Sequence, residues 1–283
     1  MSEIKRQPII GLVQYSEHIP LGRGGAPVDV FAPEYFEYRF KIFQEITLKS
    51  LQTQTDKNFN LLLLHADDMP DKYKERFKVL EQENTFLRNI YLAQPSEWGT
   101  YDFVREHVCF RDGLSISFRI DNDDAVPRDF IARLNAYLSP AFKGFVISIP
   151  RIIYISRLAS RLFLKTQYQY WLHPVGLAYV TGKENYQTIL MQGDHTLVYR
   201  AHPVIMLPGP GGIQSVNGFN VVNRIDYLNA DFLWLESLKK LLKEHNFADL
   251  DFTCLKSPKW NHSNSYISEY LRERDLLSRQ PKR

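Results

Sequence analysis

The sequence predicts an α/β fold, a mostly parallel central sheet flanked by helices. Three observations lead there. Short apolar runs of strand length alternate with stretches of helical period, as successive βα units require. Two acidic clusters stand just past the ends of apolar runs, where open parallel sheets bind their ligands. The 283 residues are 44% apolar and 24% charged, ordinary values for a chain long enough to bury its own core.

Ile9 to Gln14 is the first apolar run and reads as a strand. A small-residue loop, Pro20-Leu21-Gly22-Arg23-Gly24-Gly25-Ala26-Pro27, follows it. Phe36, Phe40, Phe43, Thr47 and Leu51 fall on one stripe and predict a helix over Phe36 to Thr53. Phe59 to His65 predicts a second buried strand, ending at Asp67-Asp68-Met69-Pro70. Asp71 to Glu83 predicts a charged helix, Asn89 to Ala93 a third strand, and Thr100 to Cys109 a helix. Ser115 to Ile120 alternates in part and predicts a strand. Arg128 to Tyr137 predicts a helix after Pro127. Phe145 to about Thr181 is strand-like but irregular, and Thr188 to Tyr199 admits a strand. Leu207-Pro208-Gly209-Pro210-Gly211-Gly212 is a breaker, and Phe232 to Glu244 predicts a helix. Beyond Ser257 the chain is polar and its end is expected to fray.

Composition narrows the function. A net charge of +3 is too small to argue for nucleic acid. The 2 cysteines, Cys109 and Cys254, make neither a metal-ligand spacing nor a disulfide framework, and two buried thiols suit a reducing compartment. No apolar run reaches the roughly 20 residues of a membrane span, and no signal peptide is read at the start. The expectation is a cytoplasmic protein, with the inner face of the membrane as its furthest reach. The aromatic fraction of 13% is rich. Tyr168, Tyr170 and Trp171 suit stacking on a sugar, although any single ring is better explained as core.

The run Arg119-Ile120-Asp121-Asn122-Asp123-Asp124 carries the most chemistry. Carboxylates crowded into one turn repel each other. A divalent cation resolves that repulsion, and oxygen-only ligands suit Mg²⁺ or Mn²⁺. Such an ion bridges diphosphate oxygens and carries the charge of a departing nucleotide. The plainer alternative is a solvated turn, or Asp123 or Asp124 capping the helix after Pro127.

The segment Ser117-Phe118-Arg119-Ile120-Asp121-Asn122-Asp123-Asp124-Ala125 resembles the acidic signature of the GT-A rhamnosyltransferase family. Thr47-Leu48-Lys49-Ser50-Leu51-Gln52 and Leu61 to Leu64 are similar to the first helix and second strand of GT-A transferases. Asp194-His195-Thr196 and Asn217-Gly218-Phe219-Asn220-Val221 resemble later family motifs, so the likeness covers roughly Ile9 to Arg224. The later motif departs in one respect: Gly212 and Asn217 stand where the family carries a Trp and a His. The resemblance implies a GT-A-like fold with a Rossmann-related nucleotide-binding half. One domain spans residues 1–270, with 9–137 as the nucleotide-sugar donor half and 138–270 as the acceptor half; 271–283 form a basic tail. It implies a metal-dependent transfer of a sugar, rhamnose by the family's name, to a glycan or lipid-linked acceptor in surface polysaccharide synthesis.

By the same resemblance Asp121 faces the donor ribose or the metal, Asp123 ligates the metal, and Asp124 orients the site or helps hold the sugar. GT-A enzymes often bring a distant histidine to the metal. His195 is the first choice, ahead of His202 and His262. Arg119 shares the face of Asp121 and suits a phosphate, or a plain ion pair with Asp121 or Asp123. Gln14 and Asp67 stand at strand ends where a nucleotide would lie, although Asp67-Asp68 equally makes a capped turn. Arg88 and Arg105 are candidate phosphate contacts or solvated charges. An acceptor hydroxyl needs a base, for which Asp194 comes first, with Asp226 and Glu184 in reserve. Asn217 and Asn220 have amides suited to hydroxyls, or are turn residues beside Gly218. Arg157, Arg161 and Lys165 suit anionic lipid heads or a solvated face.

Three rivals remain. A dehalogenase-type phosphatase shares Asp-x-Asp after a strand but needs Gly-Thr where Asp124-Ala125 stands. A sugar nucleotidyltransferase needs a Gly-rich phosphate loop, which Gly22-Arg23-Gly24-Gly25 imitates poorly. A non-catalytic glycan binder on a degenerate fold would not need the intact acidic turn.

Overall fold

The computed structural model describes residues 6–16, 29–93, 102–158, 161–168, 172–209, 211–217, 231–233 and 235–256. Its first half is built of β1 (Ile9–Gln14), α1 (Pro33–Ile42), α2 (Lys49–Gln52), β2 (Phe59–Ala66), α3 (Asp71–Glu83), β3 (Leu87–Leu92) and β4 (Leu114–Arg119). Then come β5 (Asp124–Ala125), α4 (Phe130–Asn135), β6 (Val146–Ser148), β7 (Arg151–Leu158), β8 (Arg161–Tyr168), β9 (Ala178–Gly182), β10 (Val204–Met206), β11 (Gly212–Val216), β12 (Asp231–Leu233) and α5 (Leu235–Glu244).

Seven strands form the main sheet in the order β10-β6-β9-β4-β1-β2-β3. Only β9 runs against its neighbours, so the sheet is mostly parallel. The expected α/β class therefore holds. β1 lies between β2 and β4, buried on both faces, and its residues read as a continuous apolar run for that reason. Ile9 and Val13 face one core with Leu61, Leu63, Ile116 and Phe118. Ile10 and Leu12 face another with Leu62, Leu64 and Val104. Gly11 sits where a Cβ would lie 2.5 Å from Cζ of Phe118 and 2.8 Å from Cδ1 of Leu61.

A second sheet has the order β12-β8-β7-β11-β5. Between the sheets runs a helical rod, α from Pro33 to Ile42, π from Phe43 to Leu48, and α again to Gln52. It is apolar on two sides because it serves two cores. Phe36, Phe40 and Phe43 pack into the main core, while Tyr38, Ile42 and Ile46 pack with Ile153, Ile155, Leu238 and Leu242 of the second. The single predicted stripe describes only the first contact.

The remaining differences lie in one segment before β4 and in the second half. Thr188 to Tyr199 holds no strand; it carries 3-10 turns at Ile189–Gln192 and Val198–Arg200. The helix expected over Thr100 to Cys109 is a 3-10 helix at Asp102–His107 in its described part. The last helix starts at Leu235, after β12, rather than at Phe232. Among the described residues no helix is long and apolar enough to cross a membrane.

Candidate active site

The main sheet ends at Arg119 on β4, and the chain enters the second sheet at Asp124 on β5. The four residues Ile120 to Asp123 are therefore the bridge between the two sheets. Their backbone is fixed from both sides. The Ile120 amide donates to the Leu12 carbonyl at 3.2 Å, and the Asp124 amide closes the turn on the Asp121 carbonyl at 3.2 Å. Beyond the turn Ala125 pairs with Ile213 and Asp124 with Gln214 of β11. β1, β2 and β4 are parallel and adjacent, so Gln14, Asp67 and Asp121 share the carboxyl edge of the sheet. Two strand spacings separate Asp67 from Asp121, on the order of 10 Å.

The side chains of the turn have separate environments. Asp121 is half-exposed, and the Arg119 guanidinium donates to its Oδ1 at 3.2 Å. Asn122 is buried, accepts from Arg39 and donates to the Tyr15 carbonyl at 3.2 Å. Asp123 is buried, and its Oδ2 accepts from Arg39 Nη1 at 2.9 Å and from Asn217 Nδ2 at 3.0 Å. Asp124 is fully buried, and neither carboxyl oxygen has a hydrogen-bond partner of normal geometry. Burial, then the charges of Asp123 and Asp121, push its carboxyl well above the usual carboxylate range, against a smaller pull from the Ser215 amide.

Two histidines complete the corner. His173 is buried; its Nδ1 accepts from the Val175 amide at 3.3 Å, so Nε2–H donates to Gln214 Oε1 at 3.0 Å. Burial pushes its pKa down to about 4. The ring thus stays neutral and fixes Gln214 beside the acidic turn. His195 is partly exposed, with Nδ1 3.7 Å from Asp194 Oδ1. Burial and then the Arg119 charge lower its pKa, opposed by Asp194 and Asp121. Asp194 accepts from the Thr196 amide and hydroxyl, both at 2.8 Å, which caps its own turn.

Other expected residues lie elsewhere. Glu184 follows β9, whose end pairs with the start of β4, and it faces Lys143 at 3.3 Å. It is at the opposite sheet edge from the turn and cannot serve as the base. Arg105 donates to the Lys183 carbonyl at 3.3 Å on that same far edge. Arg88 stands near the start of β3, also at the far edge. Neither reaches a diphosphate held at the turn. His202 lies against Tyr179, ring centroids 5.1 Å apart. Arg157 donates to the carbonyls of Thr253 and Leu255, which ties β7 to the segment that follows α5. Asn220, Asp226, His262, Tyr170 and Trp171 lie outside the described residues, as do the side chains of Arg161, Lys165 and Tyr168.

The sequence reading missed Arg39, Asn122, His173 and Gln214. The signal for Arg39 was present. It is a lone cation in Phe36-Glu37-Tyr38-Arg39-Phe40, in a helix whose apolar residues cover two faces, and a charge there needs a buried partner.

A resident metal cage is not built. Among the described residues no three His, Cys, Asp or Glu side chains could together hold a metal ion. The acidic turn does fit a cation that keeps its waters and takes one or two carboxylates plus phosphate oxygens, as Mg²⁺ does. Asp121 is the exposed carboxylate of the turn, and its bond to Arg119 occupies Oδ1.

The family model described as Putative rhamnosyl transferase matches residues 27–227, more than half of the chain and all of the acidic turn. This chain belongs to that family of glycosyltransferases. No curated protein matches it in sequence. Among solved structures it is similar to Staphylococcus aureus TarS 1-349 in complex with UDP, at 12% identity and a TM-score of 0.41, covering 74% of this chain and 60% of that one. With TarS 1-349 in complex with UDP-GlcNAc the identity is 13% and the TM-score 0.42, covering 96% and 73%. With 4-diphosphocytidyl-2C-methyl-D-erythritol synthase from Anaerococcus prevotii the identity is 11% and the TM-score 0.35, covering 71% and 86%. The chain thus spans less than two thirds of the UDP-bound TarS chain.

Proposed function

We propose that this glycosyltransferase moves a hexose or deoxyhexose, rhamnose by the family's description, from a nucleotide-sugar to a hydroxyl of a glycan or lipid-linked acceptor. One observation carries the proposal. The bridge between the two sheets, at the carboxyl edge where nucleotides bind such folds, presents a half-exposed carboxylate beside a guanidinium, Asp121 and Arg119.

The residues divide the work. Arg119 has a planar fork suited to phosphate oxygens. Its Nε is buried without a partner. Charge builds on the diphosphate as the glycosidic bond to it breaks, and preorganised positive groups stabilise that charge. Mn²⁺ or Mg²⁺, if held at the half-exposed Asp121 with the diphosphate, would supply Lewis-acid neutralisation of the same charge; Asp123, committed to Arg39 and Asn217, is not free to share in it as the resemblance implied. His195, the histidine expected at the metal, has its Nδ1 3.7 Å from Asp194 Oδ1, and no third ligand group joins the acidic turn among the described residues. The acceptor hydroxyl must lose its proton as it attacks. For that role we take Asp194, the first choice from the sequence, which stands beside His195 with Oδ1 3.7 Å from Nδ1. Gln14 and Asp67 stand along the donor edge for polar contacts, and Asn217 acts indirectly, by its bond to Asp123.

A thermal-shift series with UDP, GDP and dTDP, each with MnCl₂, tests the donor class. A ligand present at 100 times its Kd stabilises the native state by about 2.7 kcal/mol. One nucleotide is expected to raise the melting point of the wild type but not of Asp121→Ala. A flat response to all three rejects the proposal.

A further inference from the structure

Arg39 has no place in the chemistry just described, yet it contacts two side chains of the acidic turn. Its guanidinium spans two successive residues, Nη1 on Asp123 and Nη2 on Asn122. The side chain is only 15% exposed and that of Asp123 4%. A buried ion pair is a poor source of stability, since two well-packed apolar residues do as well. What such a pair adds is direction, and a planar fork fixes two acceptors at once where an ammonium fixes one point.

The rest of the geometry supports a brace. Asn122, gripped by Arg39, also donates to the carbonyl of Tyr15 just past β1. Asp123, gripped by Arg39, also accepts from Asn217 just past β11. One helix turn beyond the fork the rod becomes a π-helix, a feature frequent at functional sites. At Thr47 it touches the turn again, the hydroxyl donating to the Asp121 carbonyl at 3.4 Å. The turn is therefore held at Asp121, Asn122 and Asp123 by one rod, and against both sheets.

We propose that Arg39 is a positioning residue for the donor site: its fork sets the Asn122-Asp123 peptide so that Asp121 faces the diphosphate. This rests on the transferase reading for its consequence but not for its geometry. The test uses Arg39→Lys and Arg39→Ala in the full chain. The control is Asn84→Ala, which removes a buried amide bonded to Gln52 and Leu80 far from the turn. Two readouts are taken, hydrogen exchange of the amides from 120 to 126 and affinity for the nucleoside diphosphate that binds the wild type with Mn²⁺. Both Arg39 variants should exchange at least tenfold faster across the turn and bind at least tenfold more weakly. Asn84→Ala should lose melting temperature without either change. Arg39→Lys keeps the charge, so its failure to rescue marks the fork as the cause. Wild-type exchange in Arg39→Lys, or wild-type affinity despite altered exchange, overturns the proposal. If the wild type binds no nucleoside diphosphate, the transferase reading fails, and the exchange data alone decide whether Arg39 sets the turn. If Arg39→Ala does not fold, Arg39→Lys carries both readouts.

Discussion

Lowering the pH from 7 to 5 should weaken the fold through His65 by about 2 kcal/mol, since each pH unit is worth about 1.4 kcal/mol of differential protonation. His65 is fully buried on β2, against the rings of Tyr15, Phe77 and Tyr91. Asn89 spends its amide nitrogen on Phe77 and Glu81, so its Oδ1 accepts from His65 Nε2–H at 3.1 Å. Nδ1 has no partner. A second proton would put a charge among rings, and burial pushes the pKa down to about 3, against a smaller opposing effect of the Asn89 bond. Above pH 6.5 both folded and unfolded rings are neutral, and His65 contributes nothing to the pH dependence. Below 6.5 the unfolded ring takes a proton that the folded ring refuses, so stability falls with pH until about 3. Gln in place of His65 keeps a donor for Asn89 and cannot titrate. Urea unfolding at pH 7 and pH 5 should show the wild type losing about 2 kcal/mol more than His65→Gln between the two conditions. The contribution of His173, which has the same sign, cancels in that difference. Equal losses in the two proteins would mean that the buried ring accepts its proton, and would refute the reasoning.

Two further predictions follow from packing and charge. Gly11→Ala drives a methyl into Phe118 and Leu61 and should cost about 1–3 kcal/mol in chemical denaturation, as overpacked cores do. Asp123→Ala leaves the Arg39 guanidinium buried without its counter-charge, which should cost about 3–5 kcal/mol, whereas loss of the half-exposed Asp121 should change stability by less than about 1 kcal/mol. A calorimetric comparison of these two variants checks the pair, and equal melting points would contradict it. Lost turnover in Asp123→Ala is consequently no proof of chemistry at that residue.

Periodicity exposed most of the first half of the chain. β1 and α3 have the bounds that the residues predict, because each buries one continuous run or one stripe. The acidic turn was legible because three carboxylates past an apolar strand have no local reason to be there. Other features depended on distant partners. The π-turn at Phe43–Leu48 arises in a rod wedged between two cores, and a single-stripe reading cannot see the second. The strands β6 to β9 blur into one irregular stretch because antiparallel and parallel pairings alternate there. Glu184 had the right chemistry for a base, but the reversed direction of β9 carries it to the wrong edge. The resemblance assigned Asp123 to a metal, while the helix that supplies its guanidinium partner lies 84 residues away in sequence.

If Asp121 and Arg119 meet the diphosphate of a sugar donor, as we propose, loss of the Asp121 carboxylate must slow cleavage of that donor. Release of nucleoside diphosphate from UDP-, GDP- and dTDP-linked hexoses and deoxyhexoses, with Mn²⁺, tests it most directly. The wild type should turn over one of these donors, and Asp121→Ala should be slower by about 100-fold or more, the scale of losing a preorganised electrostatic contact, with its unfolding curve unchanged. Wild-type turnover in a folded Asp121→Ala protein would mean that this carboxylate does not act on the donor.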